Sequence, residues 1–144
     1  MAQGRCARSA NGTKTLKVRI PGQYPSLNEY IAACGEHRGK WRKGAAMKAR
    51  DMEIMGVYIK HYIKGPVMWP LRLEFTYYMK DLRTDLDNIS GYYHKVFQDA
   101  LVDQKIIPND NPSYIVGYKD TFLLDRHRPR TEILIREGQK GDWE

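Results

Sequence analysis

The chain has 144 residues, 42% of them hydrophobic and 28% charged, which suits one globular domain at roughly 100–200 residues per domain and excludes a disordered chain. Cys6 and Cys34 are too few and too far apart for a metal knuckle or a disulfide scaffold, which points to a reducing, cytoplasmic setting. The formal charge of +7 is concentrated early: residues 1–50 hold eleven Lys and Arg against Glu29 and Glu36 alone, a distribution suited to a polyanionic partner, most often nucleic acid.

Residues 1–14 carry Gly4, Ser9, Asn11 and Gly12 among scattered basic residues without periodicity, so a flexible basic tail is expected there and a single domain over 15–144. Arg5 and Arg8 are followed by no apolar h-region, and no stretch approaches the roughly 18 apolar residues of a membrane span, so neither secretion nor a membrane partner is expected. Leu16, Val18 and Ile20 alternate with Lys17 and Arg19, the pattern of a half-buried strand closed by Pro21-Gly22. Residues 23–44, with Pro25, Gly35, Gly39 and a run of basic residues, read as a long loop. Met47, Ile54, Tyr58 and Tyr62 then recur at helical spacing, predicting a helix over 45–63.

After Gly65-Pro66, Leu71, Leu73, Phe75 and Tyr77 alternate with Arg72, Glu74, Thr76 and Tyr78 in a strand running toward Asp81. A second helix is expected over 88–102, burying Ile89, Tyr93, Val96, Phe97 and Ala100. Two more strands, 114–122 and 131–135, flank a charged connection containing Asp125, Arg126, Arg128 and Pro129. The order β-α-β-α-β-β predicts an α+β domain of two layers, with two helices on one face of a four-stranded mixed sheet.

The densest chemistry lies in Asp81-Leu82-Arg83-Thr84-Asp85-Leu86-Asp87-Asn88. On an extended chain Asp85 and Asp87 would project from the same face about 6.6 Å apart, close enough to lean toward one cation. Magnesium is commonly held by one or two carboxylates completed by substrate phosphates and water. The competing reading makes Asp87 or Asn88 the N-cap of the following helix. Asp99 reads as an ion-pair partner of Lys95 one turn away or as a cap on a contact between helix and sheet, ahead of a metal ligand, and His37, His61, His94 and His127 have no ligand spacing and read as surface or packing residues. In the basic segment Arg38, Lys40, Arg42 and Lys43 are suited to tracking phosphates and Trp41 to stacking on an exposed base.

The ordered set Pro25-Ser26-Leu27-Asn28, Asp85-Leu86-Asp87-Asn88, Lys95-Val96-Phe97-Gln98-Asp99-Ala100-Leu101 and Asp110 resembles the RusA family of Holliday junction resolvases across residues 16–135. The resemblance implies a homodimer that binds four-way DNA junctions and nicks two strands with magnesium or manganese, in cellular or phage-borne form. Its catalytic, metal-holding acids carry over to Asp85, Asp87 and Asp110. The family's helix lysine has no counterpart at its usual place, which is Gly91 here. Lys95 follows Asn88 by seven residues, about one helical turn more than the usual three, so it keeps the helix face while moving along the axis. Either Lys95 or Arg83 would then supply the positive charge that the missing lysine gives its relatives.

Overall fold

The computed structural model describes residues 7–8, 14–35 and 40–137. The alternation that starts at Leu71 becomes strand β3 (Leu71–Met79), and its odd-numbered side chains are all buried while Arg72, Glu74, Thr76 and Tyr78 turn the other way. That is the period of a sheet covered on one face only. Three further long strands join it: β2 (Lys14–Pro21), β4 (Ile115–Leu124) and β5 (Arg130–Glu137). Strand β5 lies between β2 and β3, antiparallel to both, and β4 runs parallel to β3 at the far edge.

Ala7–Arg8 adds a two-residue β1 paired antiparallel with Thr15 and Lys14, giving the order β1-β2-β5-β3-β4. The pair falls within the segment expected to be a flexible basic tail; the other residues of that segment up to Thr13 lie outside the described ones. The fold is α+β with a mixed sheet, and the expected order of long elements holds.

Three helices form the second layer: α1 (Leu27–Cys34), α2 (Lys40–Tyr62) and α3 (Leu86–Asp103). Helix α1 and the first turn of α2 replace the loop expected over 23–44. The start of α1 has a clear cause, since the Ser26 hydroxyl accepts the Glu29 N–H while the Glu29 carboxylate accepts the Ser26 N–H, satisfying two otherwise orphaned donors. Met55 and Ile59 of α2 and Tyr92, Val96, Phe97, Ala100 and Leu101 of α3 are wholly buried against Val18, Ile20, Phe75 and Ile133 of the sheet.

One charged group enters this interior. Asp51 on α2 is 2% exposed and accepts a 2.6 Å hydrogen bond from the Tyr92 hydroxyl of α3. Burial first, and the Asp51 bond second, push the Tyr92 phenol far above its ordinary range, so it remains a donor at any physiological pH. Asp51→Asn retains an acceptor and should cost little, whereas Asp51→Ala strands the Tyr92 hydroxyl and should cost about 1–3 kcal/mol. Urea unfolding of both variants distinguishes a structural hydrogen bond from incidental contact.

Among the described residues no helix covers the opposite face of the sheet. The register places Lys17, Arg19, Arg72, Lys119, Arg130 and Arg136 there, with Glu74 and Glu132 as the only carboxylates on the same strand positions. Glu132 contacts Lys17, Arg19 and Arg130, and Glu74 contacts Arg136. Burial works in the opposite direction, yet these cations together hold the Glu132 carboxyl below its usual range.

Candidate metal and nucleic-acid site

Strand β3 runs out at Met79, and the chain beyond it is folded back by two side-chain bonds. Lys80 donates its N–H to the Gln23 side chain at 3.0 Å, and the Asp81 carboxylate accepts the Arg83 N–H at 3.1 Å. Asp85 then takes an extended conformation, φ −63° and ψ 145°, and its carbonyl accepts the Asn88 and Ile89 N–H groups, making it the N-cap of α3. Its side chain makes no capping bond. The Asp85 carboxylate is therefore not consumed by the role that the competing reading gave to its neighbours Asp87 and Asn88.

Asp87 stands in the first turn of the helix, exposed like Asp85, and neither carboxylate meets a donor or cation among the described residues. Both sit at the positive end of the helix dipole, which favours negative charge by about 0.3–1 kcal/mol at an exposed position. The pair thus stands at a helix start and not on the extended strand that the spacing assumed, and two uncommitted carboxylates there supply the donor chemistry that magnesium takes from a protein when phosphate and water complete its shell.

Asp110 does not join them. It follows α3 in a turn where its N–H donates to the Asn109 side chain at 2.7 Å, and that turn feeds Ile115, the partner of Leu71 at the beginning of β3. Asp85 follows the opposite end of β3, and a strand of nine residues spans about 30 Å. Asp110 instead borders a shallow groove with Lys48, Asp99 and Asp103. Among the described residues no group of three or more His, Cys, Asp or Glu could hold a metal ion. The expected triad of Asp85, Asp87 and Asp110 is thus a pair plus a distant acid within one chain.

Lys95 is also displaced. It is exposed on α3, ten residues beyond Asp85, hence about 15 Å along the axis, further than a lysine side chain reaches. Asp99 pairs with Lys48 across the α2–α3 contact and not with Lys95. A Cβ at Gly91 would lie 3.0 Å from Leu27 Cδ2, so a side chain at the family's lysine position requires the end of the Leu27 side chain to give by a few tenths of an ångström. Arg83, exposed and two residues ahead of Asp85, is the cation nearest to the pair along the chain.

The basic segment is divided. Arg38 lies outside the described residues, while Lys40, Trp41, Arg42 and Lys43 open α2 rather than a loop. Cations in a first helical turn oppose the dipole, a local cost that an anionic partner would relieve.

Two clusters escaped the sequence. His94 packs as expected, against Phe75 and Tyr118, but its Nε2 lies 2.8 Å from Asp120 Oδ1, which also accepts the Tyr77 hydroxyl at 3.0 Å. Only the β3–β4 register, pairing Phe75 with Asp120, brings that carboxylate beneath the helix. The second cluster is the β4–β5 turn. The Asp125 carboxylate accepts the His127 and Arg128 N–H groups at 3.2 and 3.1 Å and an Arg130 guanidinium N–H at 2.9 Å.

The Arg130 bond, followed by the Arg128 amide, holds the Asp125 carboxyl below its ordinary value. A depressed folded-state value stabilises above the unfolded value and is lost as pH falls through the folded one. The turn should therefore stay locked at neutral pH. In an acid titration the His127 and Arg128 amide resonances should report a midpoint below the ordinary aspartate value; a midpoint at or above it would contradict the lock.

No helix among the described residues is long and apolar enough to cross a membrane. No protein-family model matches the chain, and no curated protein sequence matches it.

Proposed function

We propose that the chain is a magnesium-dependent, structure-specific endonuclease that acts in the cytoplasm on branched DNA, resolving four-way junctions by paired symmetric nicks as a homodimer. The observation that carries this reading is the carboxylate pair Asp85 and Asp87, left uncommitted at the start of α3 because Asp85 caps the helix through its backbone alone. Asp85 and Asp87 would hold the metal, magnesium or manganese, with a DNA phosphate and water as the remaining ligands. When bound, such an ion lowers the pKa of water and neutralises charge on the phosphodiester. Arg83 would add positive charge beside the same phosphate. Two nicks related by a two-fold axis match two copies of this site in a symmetric dimer.

A second reading, a non-catalytic protein that binds branched DNA on the same scaffold, is favoured by the distance of Asp110 from the pair and by Gly91 in place of a lysine. Incubation of a labelled four-way junction with the full chain, in magnesium and in EDTA, separates the two. Nicking in magnesium alone supports the endonuclease. Binding without nicking, in magnesium and in manganese alike, transfers the function to the binding protein.

A further inference from the structure

We propose that the β4–β5 turn and the groove beside it form a seat for a nucleic-acid phosphate backbone, at the end of the sheet where β3 runs out ahead of Asp85. The inference rests on DNA being the substrate and assigns a surface for it that differs from the basic start of α2. The turn reads Asp125-Arg126-His127-Arg128-Pro129-Arg130. Its one carboxylate also borders the groove, but it is engaged by two backbone amides and the Arg130 guanidinium, so the acid shapes the turn while Arg126 and Arg128 set the charge of its outer surface. Arg126, His127 and Arg128 are exposed, and the side chains of Arg126 and Arg128 meet no carboxylate among the described residues.

The turn is anchored at both ends. Asp125 donates its N–H to the Met79 carbonyl at 2.8 Å, and Gly22 donates its N–H to the Pro129 carbonyl at 2.8 Å. Arg130 is fixed as well, bonded to Asp125 and Glu132 and lying 3.7 Å over the Tyr78 ring. Between the turn and the end of β2 opens a groove of about 740 Å³ edged by Arg19, Arg128 and Arg130. It continues onto the sheet face where cations outnumber carboxylates. Guanidinium groups carried on an anchored turn over an open cationic surface complement a regularly spaced polyanion, since Arg matches phosphate oxygens with a preset fork of donors.

The position matters as much as the charge. Strands β2, β3 and β4 run parallel to one another, so the groove at Pro21-Gly22, the turn after Leu124 and the carboxylate pair after Met79 share one end of the sheet.

The test compares the full-length wild type with Arg126→Ala/Arg128→Ala, and with Lys60→Ala/Lys64→Ala as a control on exposed lysines at the far end of α2. Binding to a fluorescent four-way junction is measured by anisotropy across a salt series, with EDTA present so that cutting plays no part. The turn variant should bind about tenfold more weakly at low salt, with a slope of log K against log salt shallower by about two, since each phosphate contact contributes about 0.9. Its Tm and the control's affinity should be unchanged. A turn variant that matches the wild type in affinity and slope overturns the proposal and leaves the endonuclease reading standing. A weakened variant of a wild type that proves unable to cut supports the seat while removing the catalysis, and a wild type that binds no DNA removes both.

Discussion

Asp85→Asn and Asp87→Asn should each reduce magnesium-dependent junction cutting by about 10²-fold or more while leaving junction binding intact. Either change removes one of the two carboxylates proposed to hold the ion, and the loss of a charge stabilising the transition state is worth at least that much in rate. The fold should tolerate both. Asp85 caps α3 through its carbonyl, and its carboxylate bonds nothing in the described chain, so its replacement should change stability by no more than about 0.5 kcal/mol. Asp87→Asn forfeits only the dipole contribution of about 0.3–1 kcal/mol. Asp110→Asn is the contrasting case: at the other end of β3 it should leave cutting close to wild type. A large loss of cutting from Asp110→Asn with both others active would reverse the assignment. Single-turnover cleavage with enzyme in excess, beside thermal unfolding, reads all three.

Phe75→Ala should be the most damaging single change to the fold, costing about 3–5 kcal/mol. Phe75 is 1% exposed at the centre of β3, and its ring meets those of Tyr77, Tyr93, His94, Phe97 and Tyr118. Truncation opens a cavity where α3 crosses the sheet and removes the ring that seats His94 above Asp120. Against a total stability of about 5–15 kcal/mol, that loss is large. Phe75→Leu refills much of the volume and should recover much of it. Urea midpoints measure both, and a Phe75→Ala protein within about 1 kcal/mol of wild type would mean that the aromatic cluster is not the centre of the core.

The four long strands are legible in sequence because each has one covered face, so burial imposes strict alternation, as from Leu71 to Met79. Helix α3 is legible for the same reason at a helical period. Helix α1 is not, because it is short and has no wholly buried residue to set a period. Its signal is Ser26-x-x-Glu29 with Gly35 at the far end, a capping box and a C-cap inside what composition alone makes a loop. The start of α2 is obscured by Gly44, a helix breaker by propensity, whose missing Cβ makes room for Cys34 of α1.

At the candidate site the split follows from range. The Asp85–Asp87 motif is a local pattern, but the same-face geometry expected of an extended chain is not found, because α3 starts at Leu86 and places Asp87 in a helical turn. The third acid depends on which end of an 18-residue helix the chain has reached, about 27 Å in length, and a linear order of motifs carries no such information. The cations of the open sheet face are likewise invisible in sequence, because they become neighbours only through the pairing of β2, β5, β3 and β4.

The proposed metal-binding role of Asp85 and Asp87 is tested most directly by substoichiometric manganese, whose unpaired electrons broaden the amide resonances nearest to it. Broadening centred on residues 85–89, lost in Asp85→Asn and displaced by excess magnesium, is the expected result. Broadening centred on Asp99, Asp103 and Asp110, or none anywhere in the chain, would contradict it.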